Sequence, residues 1–162
     1  MGFLAQRINS VVIELADCLC QEIKKREMPE PCFCGVLPGD DAPFIYCNVC
    51  QGGQAWTRLV GVGTPSGDME LPLNNCVGMM AVQIEMGMVS GFLGIDDDGE
   101  PIGMGANFAA FERQIDEMDA MFTALTCCDL TIQEKVSGLS YTPVGPEGGC
   151  LGGIWTGTVP VI

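Results

Sequence analysis

Apolar side chains near the start of the chain recur at steps of three and four: Leu4, Ile8, Val11, Val12, Leu15, Leu19 and Ile23. That spacing lines one face of an amphipathic helix. Lys24, Lys25 and Arg26 fall in its last turn, where cations meet the negative end of the helix dipole. They are expected to form a solvated cluster, and Pro29 and Pro31 end the helix. From Pro29 to Gly53 the periodicity is lost, in a stretch rich in cysteine and proline with a turn at Pro38-Gly39-Asp40-Asp41. Strand patterns follow. Gln54–Gly63 carries Trp56, Leu59, Val60 and Val62. In Met80–Val89, Val82, Ile84, Met86 and Met88 alternate with Ala81, Gln83, Glu85 and Gly87, as in a half-buried strand. A second helix is expected over Asn107–Cys127, with Asn107 as N-cap. There Phe108, Phe111, Ile115, Met118, Phe122 and Leu125 make a continuous apolar stripe. Glu112, Asp116, Glu117 and Asp119, beside Arg113, then belong to the solvated polar face. Gly138–Tyr141 opens another extended segment, Pro143–Gly153 interrupts it as a loop, and Ile154–Val161 reads as the last strand. Helix, strand, strand, helix, strand predicts an α+β domain: a small, mostly antiparallel sheet packed with the N-terminal helix and a second long helix.

The 162 residues make one domain, 1–162, with a cysteine-rich loop at 29–53. Charge narrows the function. Twenty-one acidic against seven basic residues leave a net charge of −14, the wrong sign for holding phosphate backbones or an anionic membrane surface. The chain has no histidine, which removes Ser-His-Asp and Cys-His catalysis and the His-Glu-x-x-His zinc peptidases. Arg7, Glu14 and Asp17 break up Met1–Gln21, so no signal-peptide core is expected there. No apolar run approaches the roughly 18–20 residues that span a bilayer.

Ten cysteines are the strongest chemical signal. Cys32-x-Cys34 is followed, after twelve intervening residues, by Cys47-x-x-Cys50. Four thiolates so arranged suit a structural zinc; disulfides and packed free thiols are equally open readings. Cys18 and Cys20 are two apart on the first helix and point to different faces, so they do not chelate one metal together. Cys128 and Cys150 are candidates for a disulfide stapling the last loop to the end of the second helix. Cys47-Asn48-Val49-Cys50 resembles a redox pair, but Gly52-Gly53 follow it instead of a helix. Asp96-Asp97-Asp98-Gly99-Glu100 lacks the alternating ligands of an EF-hand and reads as a solvated turn. Gly61-x-Gly63 with Gly67 lacks the spacing and the Lys-Ser/Thr of a nucleotide loop. No catalytic constellation is left, and the chain is not expected to be an enzyme.

The segment Tyr141-Thr142-Pro143-Val144-Gly145-Pro146-Glu147-Gly148-Gly149-Cys150-Leu151-Gly152-Gly153-Ile154-Trp155 resembles one in the tail-completion and head-to-tail connector proteins of long-tailed actinobacterial bacteriophages. Cys32-Phe33-Cys34-Gly35, Cys47 and Gln54–Val60 are similar to the same group. Within it, the element order looks like a tail terminator. That resemblance implies a small α+β virion protein, assembled in the host cytoplasm, that forms a hexameric ring at the head–tail joint. Such a ring caps the tail tube protein and docks to the head connector or stopper, while DNA passes through its lumen without specific binding. Stopper and adaptor proteins, and a zinc-stabilised interaction module, are the alternatives. Tyr141, Pro143, Gly145, Pro146, Glu147, Gly148, Gly149 and Trp155 are the expected interface residues, because long loops in compact domains tend to carry function.

Overall fold

In the computed structural model, residues 1–63, 80–92, 94 and 98–162 are described. The turn cluster at 64–68 and the acidic residues 96 and 97 lie outside them. The elements are α1 (Phe3–Lys25), β1 (Phe33–Val36), β2 (Gln54–Gly63), β3 (Ala81–Gly91), α2 (Met104–Cys127), β4 (Ser137–Glu147) and β5 (Cys150–Pro160). The strands form one sheet in the order β1-β2-β3-β5-β4. β1 runs parallel to β2 and every other pairing is antiparallel, so the fold is α+β with a mostly antiparallel sheet. Both helices pack on one face, α1 over β1 and β2, α2 over β5 and β3.

The helix-side core follows from the periodicities. Val82, Ile84, Met86 and Met88 point from β3 towards Val11, Leu15, Leu19 and Ile23 of α1 and Met121 and Leu125 of α2, all buried. Arg26 leaves the expected solvated cluster. It closes α1 through Glu22 at 2.7 Å and reaches across to Asp119 at 2.6 Å and Thr123 at 2.8 Å on α2.

The opposite face of the sheet is covered as well. The segment after β1 folds back over it, placing Ala42, Phe44 and Cys47 against Trp56, Val89 and Cys150. Glu85 and Gly87, which alternation places on a polar face, are therefore buried. Gly87 is the one residue that leaves room for the Trp56 ring, because any Cβ there would meet the indole. Glu85 accepts hydrogen bonds from the Trp56 indole N–H at 2.9 Å and from Arg58 Nε and Nη2 at 2.7 and 2.8 Å. A buried carboxylate needs such partners, since removing it from water is otherwise costly.

Two expectations for backbone are corrected. The irregular stretch 29–53 contains the short strand β1. The loop expected at Pro143–Gly153 is a β-hairpin: β4 and β5 pair from Ser137↔Thr158 to Glu147↔Cys150. Its turn is Gly148-Gly149, both at positive φ (56° and 78°), as a two-residue hairpin turn requires. Prolines argue against a strand only where a ladder bond is needed on both sides. β4 is an edge, so Pro143 is tolerated, and Pro146 falls in the register shift between Val144 and Glu147.

Among the described residues the cysteines form four disulfides: Cys18–Cys128, Cys20–Cys34, Cys32–Cys50 and Cys47–Cys150, with Cα separations of 5.5–5.9 Å. The proposed Cys128–Cys150 staple is corrected, because each takes another partner. The redox pair Cys47/Cys50 is likewise split between two bridges. Cys18 and Cys20 do point to different faces: one reaches the end of α2, the other reaches β1. Two bridges tie α1 to its neighbours, and Cys47–Cys150 ties the covering segment to the hairpin.

Candidate assembly surface

Most of the six apolar residues on α2 do not face the core. Leu125 is buried, and Trp155 and Phe122 touch at 5.5 Å between ring centres, but Phe108, Phe111, Ile115 and Phe122 are 61, 55, 39 and 41 % exposed. The buried side of α2 is Ala110, Glu117, Ala120, Met121, Ala124 and Leu125. At about 100° per residue, the two sets are centred roughly a third of a turn apart. The reason lies in the sheet below. There Trp155 and Tyr141 pack with tilted rings, centres 5.3 Å apart, beside Met86 and Met88, and small alanines let the helix settle onto these bulky side chains. The Trp155 indole N–H donates to the Met118 carbonyl at 3.1 Å, fixing the helix over β5. The helix also starts earlier than expected: Gly103 is its N-cap and Asn107 lies inside it.

Glu117 is a further correction. It is buried against the sheet, not solvated, and accepts a hydrogen bond from Ser90 Oγ at 2.9 Å. Arg113 Nε lies 3.7 Å from it, while Arg113 Nη2 donates to the Gly91 carbonyl at 3.2 Å. Burial pushes the Glu117 carboxyl up to about 7, against the opposing pull of Ser90 and Arg113. Gln114 donates its amide to the Gly152 carbonyl. Burial and the nearby Glu117 charge also raise the Tyr141 hydroxyl, against the opposing pull of Gln114. This polar cluster joins α2 to β3, β4 and β5. Nothing in residue spacing marked Glu117 out from its acidic neighbours; only the size of the opposing sheet residues does.

The expected interface residues are brought to the same edge. Tyr141, Pro143, Gly145 and Pro146 lie along β4, Gly148 and Gly149 form its turn, and Trp155 sits on β5 beneath Phe122. Glu147 pairs through its backbone with Cys150. Trp155 and Tyr141 are only partly exposed, and Trp155 packs against Phe122 of α2. The four candidate metal ligands are not brought together. Cys32, Cys34, Cys47 and Cys50 belong to three separate disulfides, and among the described residues no group of three or more cysteine or acidic side chains is placed to hold a metal ion. No helix among the described residues is long and apolar enough to cross a membrane. No protein-family model matches the chain, and no curated protein matches it.

Proposed function

We propose that this chain is a structural subunit of a long-tailed phage particle: a tail terminator that closes into a ring, caps the tail tube and joins it to the head connector. The observation that carries the reading is the aromatic surface. Trp155, in the segment bearing the resemblance, packs against Phe122, on the α2 stripe that also leaves Phe108 and Phe111 exposed. Rings of this kind need a surface that is uncovered in the single subunit and covered in the assembly. The net charge of −14 supports the same reading, since a strongly acidic ring repels phosphate and lets DNA slide. Four disulfides suit a subunit built with reduced thiols in the host cytoplasm and oxidised in the released particle. The role is geometric, without catalysis: one ring surface meets the last tube ring, the other meets the connector.

Native mass spectrometry of the purified protein, followed by electron microscopy with tail tubes, tests this. A sixfold mass and rings seated at tube ends are expected. A protein that remains monomeric, alone and on tubes, would overturn the reading. Rings that bind a connector but not a tube would identify a stopper or adaptor.

A further inference from the structure

We infer that the segment 37–53 is a redox strap: Cys47–Cys150 latches it over the sheet, and a thiol entering at Cys32–Cys50 releases it by passing the bond to Cys47-Asn48-Val49-Cys50. The device belongs to the single subunit and does not rest on the ring reading. The strap is tied at its ends by β1 and β2, and its middle is weakly held. Among the described residues, 38–48 make no backbone-to-backbone hydrogen bond to the sheet. Two side chains beneath reach up to it instead. Gln54 bonds the backbone of Pro43, Ile45 and Tyr46, and Arg58 Nη1 donates to the Gly39 carbonyl at 3.3 Å. The apolar grip is Ala42, Cys47 and Phe44, whose ring centre lies 5.8 Å from that of Trp56. A segment with so few bonds opens far more easily than the whole domain unfolds, so the covalent bond to Cys150 on β5 decides whether it stays down.

The face beneath tolerates water. Around Trp56 the sheet carries Gln54, Arg58 and Glu85, all buried now, and the Arg58–Glu85 pair needs nothing from the strap. The helix-side core, with Val11, Leu15, Leu19, Ile84 and Met86, is apolar throughout and has no such tolerance. Release of the strap therefore uncovers Trp56 without opening the main core.

Access fixes the order of events. Cys47 and Cys150 are each 3 % exposed, out of reach of a reductant, whereas Cys32 is exposed, unlike any other cysteine of the four bridges. Cys47 and Cys50 are three residues apart in one turn, where the Val49 N–H donates to the Tyr46 carbonyl at 3.2 Å. Both line an open cavity of about 1110 Å³ at the end of β3. A small thiolate attacks Cys32 Sγ, and Cys50 leaves as a thiolate. Cys50 then attacks Cys47 Sγ; the Cys47–Cys50 bond forms as Cys47–Cys150 breaks, and Cys150 leaves and takes a proton from solvent. A second small thiol clears the mixed disulfide from Cys32. Two small thiols are thereby oxidised to one small disulfide, and Cys32 and Cys150 become thiols.

The test takes the oxidised full chain through a graded glutathione buffer. Free thiols are trapped by alkylation, bonds are mapped by peptide mass spectrometry, and hydroxyl-radical footprinting reads side-chain exposure in the same samples. An intermediate with a Cys47–Cys50 bond, free Cys32 and Cys150 and an intact Cys18–Cys128 is expected. In it Trp56 should lose its protection, while Leu15, Leu19 and Ile84 keep theirs. Cys32→Ser combined with Cys50→Ser should slow the loss of Cys47–Cys150 by about tenfold or more, because a buried bond then waits for the strap to open unaided. Cys47→Ser combined with Cys150→Ser should expose Trp56 even in oxidising buffer, with unchanged circular dichroism. If either variant fails to fold, the wild-type series still decides. Trp56 protected after Cys47–Cys150 is broken would overturn the inference. So would main-core labelling that rises in the same step as Trp56, since the strap would then be no separate unit. Direct reduction of Cys47–Cys150 ahead of Cys32–Cys50 would overturn the entry at Cys32.

Discussion

The two helices lie side by side on one sheet, yet they use their apolar faces in opposite ways. α1 turns Val11, Val12, Leu15, Leu19 and Ile23 inward, and little that is bulky is left outside apart from Phe3 and Ile13. α2 turns alanines, two larger apolar residues and a carboxyl inward and leaves three phenylalanines in water. The difference originates in the strands. Beneath α1 the sheet presents small residues such as Ala55, and long aliphatic side chains fill the gap. Beneath α2 it presents Trp155 and Tyr141, so the helix must supply small ones. An apolar stripe thus marks a surface that requires cover, and the cover can be the fold itself or another molecule.

The contrast can be broken most forcefully at the bridge between the helices. Replacing Cys18 and Cys128 with alanine opens a loop of 110 residues. Denaturant unfolding should show a loss of about 4–5 kcal/mol. Core truncation is next. Leu19→Ala in α1 should cost about 2–5 kcal/mol in the same assay. A cost below 1 kcal/mol would mean that α1 is not the helix that builds the core.

Glu117 sharpens the comparison through pH. Its carboxyl titrates at about 7 in the folded chain against 4.5 for the ordinary group, so folding favours the protonated form. The stabilisation is fully present below about pH 4.5 and is lost as pH rises towards and through 7. A shift of that size corresponds to about 3 kcal/mol. Glu117→Gln should flatten that part of the stability profile, matching wild type near pH 4 and exceeding it above pH 7. An unchanged profile would place the carboxyl in water. The smallest effect is expected on the stripe. Phe111→Ala should change subunit stability by less than about 0.5 kcal/mol. A loss of several kcal/mol would show that the ring packs within its own subunit.

Periodicity made α1, β2, β3 and the end of β5 legible as elements, and in α1 the apolar spacing and the burial coincide; in β2 Leu59, Val60 and Val62 are exposed while Gln54, Thr57 and Arg58 are buried, and in β3 Glu85 and Gly87 are buried beside the apolar set. It also located α2, but not its orientation, since the phenylalanines outweigh the alanines in any apolar pattern. β4 was hidden by Pro143 and Pro146, which read as loop residues until the strand is known to be an edge. Glu85 and Glu117 are buried by partners distant in sequence, 27 residues away for both Arg58–Glu85 and Ser90–Glu117. The cysteine pairing depended on the same distant contacts: neighbours such as Cys32 and Cys34 bond away from each other, to Cys50 and Cys20. The Pro143–Gly153 segment, read as a loop, is the end of a hairpin on the edge strand, and the α2 stripe leaves its phenylalanines exposed.

The central claim is that the α2 phenylalanines are uncovered in one subunit and covered in the assembly. Fluorine NMR of fluorophenylalanine-labelled protein, with a soluble paramagnetic agent and a dilution series, measures this directly. Phe108, Phe111 and Phe122 should broaden strongly when dilute and become protected as concentration rises, while Phe33 and Phe44 stay unchanged. Phenylalanines on α2 that are shielded at every dilution, or equally exposed at every concentration, would contradict the account.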